Sequence, residues 1–173
     1  MASERIGILG SGDVGRALGD GFARHGWDVL VGTRSPGKLV DWRDELADSG
    51  VDGTIAVGTF AEAAGHGDVV VLAVRGDVAL DVVDLAGREH FSGSLVLDAS
   101  NPLDFSVSPP GLLYGGTDSL GERVQAKLPE AHPDIGPLYA GVLDHVEQEF
   151  PHRPVDHDPQ ALLARLGRRV EGQ

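Results

Sequence analysis

Along the first hundred residues, short apolar runs alternate with stretches in which apolar positions recur every three or four residues. Such runs suit strands covered on both faces, and the wider spacing marks one face of a helix. The pattern predicts a strand over Arg5-Ile6-Gly7-Ile8-Leu9 and a helix from Asp13 to Arg24, with Val14, Leu18 and Phe22 on its buried face and Gly26 as its stop. A second strand follows over 28–32 through Val29, Leu30 and Val31, then a helix over 36–48 through Leu39, Trp42 and Leu46. Trp42 reads as core or partly exposed packing. A third strand is expected over 54–57, a short helix over 60–64, and a central fourth strand over 68–74, the longest apolar run in the chain. From Arg75-Gly76-Asp77 a helix should run through Val78, Val82 and Leu85, leading to a fifth strand over 94–97. Residues 102–116 are rich in Pro, Gly and Ser and read as a long loop or flap. Ser119-Leu120-Gly121-Glu122 has the spacing of a capping box, opening a helix with Leu120, Val124 and Leu128 on one side.

Strand and helix alternating in this way imply an α/β fold of the doubly wound Rossmann type: a mainly parallel sheet with flanking helices. The first strand runs into Gly10-Ser11-Gly12-Asp13-Val14-Gly15, the GxGxxG spacing at a strand-to-helix junction. In that context the first glycine permits a tight turn, the second lets backbone approach a pyrophosphate, and the third lets the helix pack closely. The anion would rest on free N–H groups at the helix N-terminus. With 25 glycines in 173 residues the hexapeptide alone means little, and its position between strand and helix is what points to dinucleotide binding.

The end of the second strand selects the dinucleotide. An NAD site carries an acid about 20 positions after the glycines to hold the ribose hydroxyls. Position 32 here is glycine, followed by Thr33, Arg34, Ser35 and Lys38. A carboxylate would repel a 2′-phosphate, whereas these cations and hydroxyls would bind it, so NADP is expected. The plainer alternative is a solvated Arg34 and a Ser35-Pro36 helix cap, and the cap is compatible with phosphate binding. Ligands of open parallel sheets lie beyond the carboxyl ends of the strands. Ala73, Val74 and Arg75 after the fourth strand, and Ala99 and Asn101 after the fifth, are therefore further cofactor-binding candidates. Asp98 and Asn101 equally suit holding their own loop's backbone.

Length and charge narrow the picture. A chain of 173 residues suits one domain, 1–131, with a short helical tail, 132–173, in which helices are readable from Pro137 and from Pro159. The net charge of −13 argues against nucleic acid or an anionic membrane as partner. Any anion site must gather its cations locally. The 18 Asp against 9 Glu and 12 Arg against 2 Lys suit concentrated salt, or a GC-rich genome. Cysteine is absent, which excludes disulfides. His145, His152 and His157 match no ligand spacing, so no metal is expected. No signal peptide is apparent before the first strand, and the cytoplasm is the expected compartment.

The glycine turn, Val-Gly-Thr-Arg-Ser-Pro-Gly-Lys at 31–38, the 69–74 run, Asp98-Ala99-Ser100-Asn101-Pro102 and the stretch 119–131 together resemble the NADPH-dependent F-420 oxidoreductase family over about residues 5–131. The resemblance implies NADP lying over the sheet, with the deazaflavin coenzyme F-420 stacked on its nicotinamide. It assigns Ser11 to Val14 to the pyrophosphate and Thr33, Arg34 and Lys38 to the 2′-phosphate. Direct hydride transfer between two rings needs proximity and orientation, not a nucleophile, so no catalytic side chain is expected. The chain departs from the family at Asp13 in the phosphate turn, at Arg75 where proline is usual, and after Ala131. Alternatives are an NADPH-dependent reductase of a small carbonyl or imine, or a non-catalytic NADP-binding sensor. The implied partners are small-molecule cofactors, with a second copy of the chain as a candidate.

Overall fold

Strands β1 (Arg5–Leu9), β2 (Asp28–Gly32), β3 (Thr54–Gly58), β4 (Val69–Leu72) and β5 (Leu95–Asp98) form a parallel sheet in the order β3-β2-β1-β4-β5. The computed structural model describes residues 4–129, apart from 105, 110 and 115–117. The helices expected from Pro137 and Pro159, and the three histidines of that region, lie outside the described residues. The middle place belongs to β1, whose Ile6, Ile8 and Leu9 are fully buried. The fourth strand is interior but not central, and shorter than its apolar run.

Helix α1 (Asp13–Arg24) joins β1 to β2, and α2 (Val40–Asp48) leads to β3. The chain then crosses back through α3 (Phe60–His66) to β4, and α4 (Ala79–Ala86) connects to β5. Right-handed crossovers run in opposite directions from β1, so α1 and α2 cover one face while α3 and α4 cover the other. Close packing of α3 depends on Gly7, where a Cβ would fall 1.9 Å from the Ala63 carbonyl oxygen. Fully buried Phe91, Val83, Val70 and Leu72 belong to the β4–β5 half. None of the described helices is long and apolar enough to cross a membrane.

Several local expectations are corrected. The buried stripe of α1 is Gly15, Gly19, Phe22 and Ala23, while Val14 is 54% exposed. Small residues let the helix lie close to the sheet, and that rotates Val14 outward. Residues 36–48 are not one helix: a 3-10 turn, Pro36–Leu39, precedes α2. Helix α4 buries Ala79, Val82, Val83 and Ala86, leaving Val78 partly exposed and Leu85 62% exposed. Two alanines and two valines together carry the i, i+3, i+4, i+7 period. Within 102–116, β6 (Leu103–Asp104) and β7 (Gly111–Leu112) pair antiparallel, so the expected flap contains a short hairpin. Its partners are pinned by backbone bonds from Leu103 N–H to the Asn101 oxygen and Leu113 N–H to that of Pro102.

Helix α5 (Leu120–Lys127) opens as expected. Ser119 Oγ accepts from Glu122 N–H at 3.1 Å, and a Glu122 carboxylate oxygen accepts from Ser119 N–H at 2.9 Å. Leu120, Val124 and Leu128 are buried, and Lys127 pairs with Asp84 on α4. The Lys127 ammonium, with Arg88, holds the Asp84 carboxyl below its ordinary range. Ser119→Ala removes half of the reciprocal cap and is expected to lower unfolding free energy by about 1 kcal/mol, read as a shifted urea midpoint with unchanged slope.

Candidate functional site

Parallel register brings four loops to one end of the sheet. Leu9 is paired with Gly32 on one side and Leu72 on the other, and Leu72 with Asp98. The segments after β1, β2, β4 and β5 therefore emerge side by side. Connections leave β1 and β4 toward opposite faces, which opens a crevice between them.

The glycine turn lines that crevice. Gly10 has φ +135°, and a Cβ there would meet the Ala73 carbonyl oxygen at 2.1 Å. Its N–H continues the β1–β2 ladder to the Gly32 oxygen at 3.0 Å. At Gly15 a Cβ would stand 2.0 Å from the Gly10 oxygen, so the start of α1 presses on the turn. Gly12 differs. It is the extended N-cap residue, its Cβ position has no atom within 4 Å, and no side chain caps the helix. Open space thus lies above the uncapped amides of the first turn, as a bound anion would require. The Asp13 carboxylate, 97% exposed, receives a 2.7 Å bond from Arg16, which offsets its charge beside that space. Val14 is exposed on the same turn.

The loop after β2 supplies the cations. Thr33 is buried, its N–H reaches the Gly58 oxygen, and its Oγ1 lies 3.0 Å from Ser11 Oγ. Ser35 donates its N–H to Thr33 Oγ1 at 3.3 Å, and its own hydroxyl makes no cap bond to the following turn. The capping role expected for the Ser35 side chain is therefore absent, although Pro36 does occupy the first helical position. Arg34, Ser35 and Lys38 are exposed, and neither Arg34 nor Lys38 has an ion-pair partner among the described residues. On a chain this acidic, two cations without carboxylate partners among the described residues concentrate positive charge at this loop.

The remaining walls come from β4 and β5. Ala73 is buried and donates its N–H to the Leu9 oxygen, and Val74 packs toward Gly10. Arg75 is exposed and paired through its guanidinium with Asp77. That bond raises the Arg75 pKa and lowers that of Asp77. Gly76, absent from the expected set, ties the two walls: its N–H reaches the Asn101 oxygen, and a Cβ would fall 2.5 Å from Pro102 Cα. Only the glycine between Arg75 and Asp77 signalled this in the sequence. Ala99 donates its N–H to the Leu72 oxygen, while Asp98 accepts from Ser100 N–H at 2.9 Å and so holds its own loop. Asn101 is exposed and contributes its backbone carbonyl to two bonds.

An open depression of about 450 Å³ lies elsewhere, between α1 and α2, lined by Arg16, Arg24, Trp42 and Leu46 among others. Arg16 and Arg24 are neutralised there by Asp13 and Asp20, so it offers no net anion site. Among the described residues no group of three or more acidic, His or Cys side chains could hold a metal.

The family described as coenzyme F420-dependent NADP oxidoreductase matches residues 5–102. A crystal structure of a protein from Arthrobacter sp. FB24, provisionally named an F420-dependent NADP reductase, is 34% identical with a TM-score of 0.66. The alignment covers 75% of this chain and 59% of that one. A hypothetical protein, SMa0349 of Sinorhizobium meliloti, is 27% identical with a TM-score of 0.58, over 75% of this chain and 58% of that one. An imine reductase from Pseudomonas sp., 20% identical with a TM-score of 0.53, shares the fold over 75% of this chain and 38% of its own. Among curated proteins, the metalloreductase STEAP3 of Rattus norvegicus is 31% identical over 101 residues, 58% of this chain and 18% of that protein.

Proposed function

Since the chain belongs to the coenzyme F420-dependent NADP oxidoreductase family, we propose that it binds NADP(H) across the crevice and transfers hydride between that cofactor and the deazaflavin coenzyme F-420. The chain spans 59% of the length of the Arthrobacter protein, and the activity is inferred from the site together with membership. The observation that carries the reading is the loop after β2, where Gly32 stands in place of an acid and Arg34 and Lys38 are without carboxylate partners among the described residues. Gly12 leaves the room that a pyrophosphate needs.

In this reading the uncapped first-turn amides and Ser11 bind the pyrophosphate, while Arg34, Ser35 and Lys38 bind the 2′-phosphate. Ala73, Val74, Ala99 and Asn101 form the wall along which the nicotinamide half lies. Arg75 is held by Asp77, which directs its guanidinium away from a free role in anion binding. When bound, the nicotinamide supplies the hydride carrier, and the chain's own residues orient it without a catalytic side chain. We take its partners to be small molecules, with a second copy as a candidate, and its compartment to be the cytoplasm.

Mixing the protein with NADPH and oxidised F-420 should bleach the deazaflavin absorbance in proportion to NADPH consumed. Tight NADP binding with no turnover would sink the F-420 assignment and leave a binding module. NADPH oxidation by a small cyclic imine, with F-420 inert, would move the protein to the reductase alternative.

A further inference from the structure

Gly76 is buried, yet nothing in its own backbone calls for glycine, because its φ lies outside the left-handed range. What excludes a side chain there is the opposite wall of the crevice. A Cβ at Gly76 would fall 2.5 Å from Pro102 Cα, 2.6 Å from Pro102 N and 2.7 Å from the Asn101 carbonyl carbon. All three are backbone atoms, which cannot swing aside as the end of a side chain can. The same stretch is a junction of hydrogen bonds. The Asn101 oxygen accepts from Gly76 N–H at 3.2 Å and from Leu103 N–H at 2.9 Å, and the Pro102 oxygen accepts from Leu113 N–H at 2.8 Å. Asn101 and Pro102 thus hold the loop after β4 on one side and the base of the hairpin on the other.

We propose that Gly76 is a positioning residue for the nicotinamide half of the dinucleotide: by admitting the Asn101–Pro102 backbone to contact, it sets the separation of the walls after β4 and β5, and it has no part in holding the adenosine half. The inference rests on the dinucleotide reading above. The two halves separate because their walls are tied at different points. On the adenosine side, the bond from Gly10 N–H to the Gly32 oxygen carries the β1–β2 ladder into the glycine turn. On the nicotinamide side, the ladder ends with Ala99 N–H on the Leu72 oxygen. Beyond it, the one backbone bond between the two loops among the described residues is that of Gly76 to Asn101. A side chain at position 76 therefore has to push the loop after β5 outward, while Gly10, Gly12 and the loop after β2 stay where they are. In an open parallel sheet the dinucleotide crosses the carboxyl ends of the strands, so the two halves meet these two pairs of walls separately.

Adenosine 2′,5′-bisphosphate carries the adenosine half alone, and NADPH carries both. Titration calorimetry of the full chain should show Gly76→Ala binding the bisphosphate within about twofold of native and NADPH about five- to tenfold more weakly, the worth of roughly one hydrogen bond at the displaced wall. The rise in NADPH emission that accompanies a nicotinamide held still in its site should shrink in the same variant. Equal weakening of both ligands would make Gly76 a support of the whole site and overturn the proposal, as would native NADPH affinity and emission. Should Gly76→Ala fail to fold by circular dichroism, amide hydrogen exchange on the native chain carries the test. NADPH should slow exchange at the Gly76 and Leu103 amides, and the bisphosphate should leave both unchanged. Slowing by both ligands, or by neither, would overturn the proposal. A native chain that binds neither ligand is a separate failure, visible before any variant is made, and it would remove the dinucleotide reading and the role of Gly76 together.

Discussion

Gly12→Val is expected to leave the fold standing and to abolish useful dinucleotide affinity, weakening NADP by at least about 100-fold. The fold survives because Gly12 has φ −73° and ψ −173°, an extended conformation open to any residue, and because its Cβ position has no neighbour within 4 Å. Valine is a poor N-cap, so a stability loss of up to about 1 kcal/mol is expected and no more. Binding fails because the new side chain fills the open space beside the first-turn amides. Losing two charge-assisted bonds at about 1.5–3 kcal/mol each corresponds to a factor of 100 or more. Gly10→Ala is the instructive contrast. There the backbone is left-handed at φ +135° and a Cβ would fall 2.1 Å from the Ala73 oxygen. Its loss of binding should come with a lowered melting temperature. Calorimetric Kd and thermal melts on both variants check the pair, and native NADP affinity in Gly12→Val would remove the glycine turn from the site.

The neighbouring glycines thus have different physical duties, a turn at Gly10, open space at Gly12 and close packing at Gly15, and that division was legible in the motif of the sequence. What else the sequence showed follows from strong local signals. Strands β1 and β2 are apolar runs punctuated by glycine, and their bounds agree with expectation, as do those of α1 and the Ser119–Glu122 cap. The misplaced helix faces share one cause. Small residues share the buried stripes of α1 and α4 with larger ones, Gly15, Gly19 and Ala23 with Phe22 and Ala79 and Ala86 with Val82 and Val83, and Val14 and Leu85 are left outside. A reading that weights large apolar side chains mistakes such faces. Ser35 shows a second limit. Its side chain was eligible to cap the next turn, but the backbone N–H of Ser35 bonds Thr33 Oγ1 and its own hydroxyl makes no cap bond. The same Thr33 oxygen lies 3.0 Å from Ser11 Oγ, 22 positions away, and no local pattern records a contact of that range. The tie of Gly76 beneath Pro102 is equally non-local.

Arg34→Ala should convert an NADP-selective protein into one that barely distinguishes the two dinucleotides. Arg34 is exposed, lies two residues after the end of β2, and lacks a carboxylate partner among the described residues, so its guanidinium can meet a phosphate without first breaking an ion pair. The formal charge of −13 makes this local concentration of positive charge the more consequential, because the rest of the surface repels a polyanionic cofactor. A charge-assisted bond at such a position is worth about 1.5–3 kcal/mol, or roughly 10- to 100-fold in Kd for NADP. NAD has no 2′-phosphate and should change by less than about twofold. Lys38→Ala, which removes a point charge one turn further on, should show the same selectivity with a smaller effect, since an ammonium lacks the bidentate geometry of a guanidinium. Raised salt should shrink both differences, because exposed charges act through a screened medium. Equal weakening of NAD and NADP in Arg34→Ala would mean that the basic loop supports the fold of the site without reading the phosphate, and the cofactor assignment would then have to rest on family membership alone.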